Sequence, residues 1–252
     1  MKTRWKSLLF AGILSALLPV ASFGANQPTL PANPGGGTSP SASTPENGRN
    51  DFLGAWVVGI QAGPAFSPQD LVTIRGTTTT LVSGVGPYLS FNALYGVGRV
   101  DPVDLLLGLD VDYNSLPVNS QSSSFSWGNT STVSLLPTVE LRTDKLGNVS
   151  LYGSLGLGVN FNGFSNSASL NTFCGSFTCT IAPGTSFAAR FGVGLDYFIS
   201  PNFALNAEIG YLFNLANTAM TVSVPGATTS GSQNVDLSTL FFLFGFHYRS
   251  FL

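Results

Sequence analysis

From about residue 53 to the C-terminus, apolar residues return at every second position. A period of two belongs to the β-strand, whose side chains point alternately to opposite faces. Residues 103–113 show it well: Val103, Leu105, Leu107, Leu109, Val111 and Tyr113 fall on one face. Asp104, Leu106, Gly108, Asp110 and Asp112 fall on the other. Residues 186–198 set Phe187, Ala189, Phe191, Val193, Leu195 and Tyr197 against Ala188, Arg190, Gly192, Gly194 and Asp196. Eight such segments occur, at about 54–66, 84–97, 103–113, 131–142, 149–162, 186–198, 203–214 and 237–252. Each has the roughly 9–11 residues that a tilted strand needs to cross a bilayer.

The connections alternate in length. Residues 98–102, 143–148 and 199–202 are short turns, whereas 67–83, 114–130, 163–185 and 215–236 are long and rich in Ser, Thr, Gly and Asn. Short turns on one side and long loops on the other imply an even-stranded outer-membrane barrel with both termini on the periplasmic side. The expected fold is all-β: an eight-stranded antiparallel up-and-down transmembrane β-barrel.

Alternation by itself does not say which face is outside. A soluble barrel would turn its apolar face inward and show the other face to water. Charged residues make up only 9% of this chain, against roughly 25% in soluble proteins. The less apolar face is mostly Gly, Ser and Asn, a poor aqueous surface but a good lining for a narrow lumen. The apolar face is therefore expected to meet lipid. Trp56, Phe66, Tyr95, Tyr113, Tyr197, Tyr211 and Tyr248 sit near the ends of the apolar stripes, where interfacial girdles belong. No stretch after the N-terminus has about 18 consecutive apolar residues, so no transmembrane helix is expected. Ten basic against twelve acidic residues leave no basic patch for nucleic acid. Two Cys and one His fall short of the four ligands of a structural zinc site, and no cofactor or metal is expected.

The chain divides into three. Residues 1–25 read as a secretory signal peptide: Lys2, Arg4 and Lys6 precede the apolar run Leu8 to Leu18, and Ser22, Gly24 and Ala25 follow. Removing three cations from ten leaves seven basic against twelve acidic side chains, a net charge of −5. Residues 26–50 read as a Pro/Gly/Ser-rich linker with nothing to bury, extended or flexible. Residues 51–252 are the barrel domain.

Parity places ten charged or titratable residues in the lumen: Asp104, Asp110, Asp112, Glu140, Arg142, Arg190, Asp196, Glu208, His247 and Arg249. Charges in such an interior must be paired or wet. Arg190 lies diagonally across from Glu208, so a salt bridge is expected there. Asp104, Glu140, Arg142, Asp196, His247 and Arg249 fall in the periplasmic half and are expected to form a polar network plugging that end. Asp110 and Asp112 lie nearer the outer end with no strand arginine assigned, and three readings stay open for them: binding a cation, facing water, or pairing with Arg75 of the first loop. Pro87 and Pro137 fall inside strands, where a missing ladder donor predicts a bulge or pinched pairing. Gly153, Gly156 and Gly158 lie within a strand and are read as close packing in the lumen rather than a nucleotide loop. The C-terminal residue of outward parity is Leu252. Cys174 and Cys179 in the third long loop are expected to form a disulfide after export.

The run Leu135-Leu136-Pro137-Thr138, then Tyr152, Gly156, Gly158, Asn160 and Phe161, then Gly192-Val193-Gly194-Leu195-Asp196-Tyr197, resembles the OmpW family of small outer-membrane proteins. The chain is similar also to OmpA-like and opacity-type eight-stranded barrels, over roughly Trp56 to Leu252. The resemblance implies a narrow channel or lateral conduit for small hydrophobic molecules, surrounded by outer-membrane lipid and folded by the barrel assembly machinery. It also implies a monomer. The alternative is a non-transporting surface barrel whose long loops bind a partner. No enzyme is expected: His247 is the sole histidine, and the position two residues on is Arg249, not the Ser of barrel lipid deacylases. As a test of the faces, Leu107→Arg should disturb assembly and Gly108→Asn should be milder.

Overall fold

The computed structural model describes residues 52–67, 72–73, 80–100, 102–121, 124–143, 146–224 and 227–251. The proposed leader and linker, Arg75 and Leu252 lie outside the described residues. Among these residues the strands are β1 (Ala55–Phe66), β2 (Val72–Thr73), β3 (Thr80–Ser83), β4 (Gly86–Val100), β5 (Val103–Ser120) and β6 (Ser126–Thr143). There follow β7 (Val149–Asn166), a short helix α1 (Ala168–Cys174), β8 (Thr178–Pro183), β9 (Ser186–Phe198), β10 (Phe203–Val224), β11 (Ala227–Asp236) and β12 (Thr239–Phe251).

Eight of these close a ring of antiparallel pairs: β1–β4–β5–β6–β7–β9–β10–β12, with β12 returning to β1. Closure satisfies every strand edge, which a sheet in lipid requires. The apolar stripe faces outward. Leu107, Leu135, Leu155, Phe191, Ile209 and Phe246 are each about 40% exposed or more, while Asp104, Asp112, Arg142 and Asp196 are fully buried inside.

The strands run further than the alternation of outward apolar residues predicts. β5 continues to Ser120, β6 begins at Ser126, and β10 and β11 form a long hairpin through residues read as loop. β8 pairs with the same extension of β10. The cause is a change of surroundings. Beyond the bilayer an outward face meets water and no longer needs to be apolar, while backbone pairing carries on with Thr, Ser and Asn.

The prolines produce no bulges. Pro87 stands opposite Pro64 in an unbroken β1–β4 register, and it precedes the first β4–β5 pair at Tyr88. Its missing N–H therefore falls where β5 asks for none. At Pro137 the β6–β7 ladder lapses between Leu135 and Thr138 and resumes in the same register. The β1–β12 ladder lapses likewise at Gly63 and Pro64. The two irregularities of register lie elsewhere, at Gly96/Gly98 and Val118/Asn119.

Candidate functional site

The lumen is built in layers, from the short-turn end to the long-loop end. At the short-turn end sits Phe52, fully buried. Its backbone N–H donates to Asp104 Oδ2 at 2.6 Å. Its ring lies 4.9 Å from the Arg142 guanidinium carbon and 5.2 Å from that of Arg249. Arg249 also donates to the Pro201 carbonyl at 2.9 Å and lies against Phe251. Arg99 stands 3.9 Å from Asp104.

The next layer centres on Arg142, which pairs with Glu140 at 2.6 Å and with Asp196. His247 Nδ1 lies 2.9 Å from Asp196 Oδ1, and its Nε2 lies 3.3 Å from the Asn92 side-chain amide nitrogen. The Asn206 amide donates to Asp196 at 2.7 Å and to the Tyr152 hydroxyl at 2.9 Å. Tyr152 donates to Glu208 at 2.9 Å, and Gln61 donates to Asn206 and Glu208.

Arg190 forms the following layer. It pairs with Glu208 at 2.7 Å, Asp110 at 2.8 Å and Asp112 at 3.3 Å, and Asp112 also accepts from Tyr88 at 2.7 Å. Asp110 and Asp112 thus have a strand arginine after all. Parity showed that Arg190 faced inward but not that its reach spans the lumen to β5. The ten sequence-derived residues therefore share one interior, and eight of them join a continuous chain from Glu140 to Asp110 and Asp112. Asp104 and Arg249 belong instead to the Phe52 end.

Glycines make room for these groups. A Cβ on Gly59 would meet the His247 ring at 2.1 Å, and one on Gly192 would meet Glu208 at 2.1 Å. On Gly194 it would meet the Tyr152 ring at 2.4 Å, and on Gly210 the Phe241 ring at 2.3 Å. Gly156 faces the lumen against Thr138 and Leu136, and Gly158 presses on the Leu135 carbonyl. Gly153 does not belong with them: it shares the outward parity of Leu151 and Leu155 and has only the Gly192 carbonyl near, at 3.9 Å.

Above Arg190 come an apolar layer containing Tyr88, Leu136, Leu212 and Phe241, then a belt of amides and hydroxyls. In that belt Ser134 donates to Asn160 at 2.6 Å, Asn214 to Asn162 at 2.8 Å, and Ser186 to Asn214 at 2.6 Å. The outermost layer is an apolar chamber under the long-loop rim. Leu81, Val118, Val235 and Leu237 line it, with Trp127, Phe164, Ile181 and Met220 around them. The Cys174–Cys179 disulfide is formed beside it, at the end of α1. Gln61, Tyr88, Tyr152 and Asn206 were not among the lumen residues taken from the sequence, although extending the same period of two puts each on the inward face. Phe52 precedes the first strand, and all the chamber residues but Leu237 lie in segments read as loop, so they carried no signal.

No protein-family model matches the chain, and no curated protein matches it. Among solved structures, the outer membrane protein OprG from Pseudomonas aeruginosa matches with a TM-score of 0.57 at 16% identity, over 80% of this chain and 98% of that one. The fold is that of an outer-membrane β-barrel. The outer membrane protein AlkL, solved in lipid bilayers, gives a TM-score of 0.49 at 16% identity, over 91% of this chain and 98% of its own. The outer membrane protease OmpT from Escherichia coli gives 0.47 at 8% identity, over 78% and 97%. The resemblance to OmpW-type and OmpA-like barrels is thus met at the level of fold. Likeness of this degree carries no activity, so the protease among these barrels assigns no role to His247. None of the hydrogen bonds of His247 described above involves a hydroxyl, which nucleophilic catalysis of the Ser–His–acid type needs.

Proposed function

We propose that this outer-membrane barrel takes small hydrophobic molecules from outside the cell into the apolar chamber and releases them sideways into the membrane. The chamber carries the reading. It is an apolar-lined space at the mouth of a barrel otherwise filled with ion pairs and hydrogen-bonded amides, and concave apolar sites with few polar groups are where small ligands bind. A straight path to the short-turn end would have to displace the Arg190 and Arg142 layers and then Phe52. The alternative is a sideways path through the wall. The ladder lapses at Leu136–Pro137, and Leu136 belongs to the layer just below the amide belt. The exposed apolar belt supports residence in the bilayer, and the N-terminal leader supports export, with the short-turn end in the periplasm.

Purified protein in liposomes tests this. It should speed the entry of n-octane above empty liposomes, and entry no faster than in empty liposomes would sink the proposal. The second reading, a surface barrel that binds a partner, draws support from Phe173 and Phe177, which are 77% and 49% exposed beside the disulfide. It would take over if uptake were absent and the purified barrel still bound other cells or matrix. On neither reading is the protein an enzyme.

A further inference from the structure

Just ahead of the first strand the chain turns back on itself at the short-turn mouth of the lumen. The Ala55 N–H donates to the Phe52 carbonyl at 3.0 Å, and Gly54 holds φ +74°, as the third residue of a type II turn does. The turn lies close on β4. The Gly54 N–H donates to the Gly96 carbonyl at 2.9 Å, and a Cβ on Gly96 would stand 2.0 Å from the Phe52 carbonyl oxygen. Phe52 is thereby carried inward. Its ring packs with Val57, Leu94 and Phe198, against the guanidinium groups of Arg142 and Arg249. Both cations lie within the roughly 6 Å over which they attract an aromatic face. Asp104, on β5, fixes the Phe52 backbone N–H at 2.6 Å. One residue outside the eight-stranded ring thus touches side chains of β1, β4, β5, β6, β9 and β12.

We infer that Phe52 is a stopper which the chain holds in its own lumen, an autoinhibitory contact that shuts the short-turn mouth and comes out without opening the barrel. Withdrawing it undoes the three hydrogen bonds just given and no pairing of the ring, whose β1 registers begin at Ala55 and Trp56. The layer behind it does not need the ring for its own bonds, since Arg142 is already paired with Glu140 and Asp196. The ring instead keeps water from those pairs, which strengthens them. With the stopper out, inward side chains at the level of Val57 and Arg249 meet water, and the Arg142 and Arg190 layers remain as the barrier above. The hinge is Gly54, because an L side chain resists its positive φ. The latch is the carboxylate of Asp104, since a charged acceptor makes the stronger hydrogen bond. The device lies at the opposite end of the lumen from the apolar chamber and does not depend on uptake there.

The test is the reactivity of a reporter thiol in the full chain, held in lipid nanodiscs with the native disulfide intact. Val57→Cys puts the thiol on the inward face beside Phe52, at a position 1% exposed, with little change of size. The probe is the anionic reagent 2-sulfonatoethyl methanethiosulfonate. It should modify this thiol at least about tenfold more slowly than one introduced by Ser200→Cys in an exposed short turn, because reaction has to wait for the stopper to leave. Adding Gly54→Ala should speed the Val57→Cys reaction about tenfold, the equilibrium worth of forcing an L-residue into that conformation. Adding Phe52→Ala should speed it roughly a hundredfold, since the buried ring is gone. Heat-modifiable migration on a gel checks folding. If Phe52→Ala does not fold, Gly54→Ala still decides, because a methyl there would meet no atom within 4 Å. A Val57→Cys thiol that reacts as fast as the Ser200→Cys thiol would overturn the inference. So would substitutions that lower the urea midpoint of the barrel and leave the labelling rate unchanged, for Phe52 would then be packing at a strand end and no stopper.

Discussion

Within the membrane-spanning part of the barrel the chain is built inside out, and at the long-loop rim it reverts. On β5, Leu107, Leu109, Val111 and Tyr113 face outward and Asp104, Asp110 and Asp112 are buried. A few residues on, Leu116 and Val118 are 2% exposed and face the interior instead. On β6, Leu135 and Val139 look outward to lipid, yet Asn129 looks outward nearer the rim. Strand, register and pairing run on without interruption between these stretches. Only the medium outside has changed, and with it the sign of the pattern. The two interiors differ accordingly. The lower one holds charges bonded to one another in spaces left by glycine, whereas the upper one holds chiefly apolar side chains.

The largest effect should come from taking the cation out of the lower interior. Arg190→Met leaves Asp110, Asp112 and Glu208 around an apolar side chain, and breaking a buried pair from one side costs about 3–5 kcal/mol. Urea titration of the barrel in vesicles should show that loss. A change below about 1 kcal/mol would mean that glycine-lined packing, not ion pairing, holds this layer together.

On the outer face, Leu107→Arg puts a charge into the lipid belt and should cost about 2–4 kcal/mol if the position lies near the midplane. The same urea titration measures it, and a negligible loss would place water, not lipid, around β5. Gly108→Asn does not serve as a mild partner to it. A Cβ at Gly108 would stand 2.0 Å from the Ala93 carbonyl, so any side chain there forces β4 and β5 apart. Parity gave its face correctly, but could not show that the neighbouring backbone occupies the space.

A finer cut compares two glycines of adjoining strands. Gly192→Ala brings a methyl to within 2.1 Å of Glu208 Oε1 and should push that carboxylate off Arg190, at about 1–3 kcal/mol. Gly153→Ala, outward and open, should stay within about 0.5 kcal/mol. Equal shifts in urea midpoint would contradict the assignment of the two faces.

How much could be read beforehand follows the same boundary. Where lipid lies outside, alternation carried the strands, their order of faces and the ten buried Asp, Glu, Arg and His residues, because a single apolar stripe marks the outside. At the rim the stripe ends while the strand goes on, so β10 past Asn214 and all of β11 read as loop. The partners of Asp110 and Asp112 were out of reach for another reason. A long arginine chain crosses the lumen from β9 to β5, and spacing along a single strand says nothing of distance across a closed ring. Phe52 stands before any repeat, so nothing in the pattern announced that it closes the lumen at the short-turn end.

The smallest effect on the barrel should come from the rim's covalent link. Cys174 and Cys179 lie five residues apart, at the end of α1 and on β8, so their bond closes a short loop. Replacing both with Ser frees little chain and touches neither ion-paired layer. The urea midpoint of the barrel should therefore move by less than about 0.5 kcal/mol. The change should be local. Phe173, just before Cys174, and Phe177, inside the closed loop, are already exposed, and loosening that loop should speed chymotrypsin cleavage there several-fold, since exposed loop tips are where proteases cut. If the double replacement instead lowered the stability of the whole barrel, the rim and the membrane-spanning part would unfold as one unit. The chamber would then be no softer than the lumen beneath it, and entry of a ligand would require a cost shared by the entire ring.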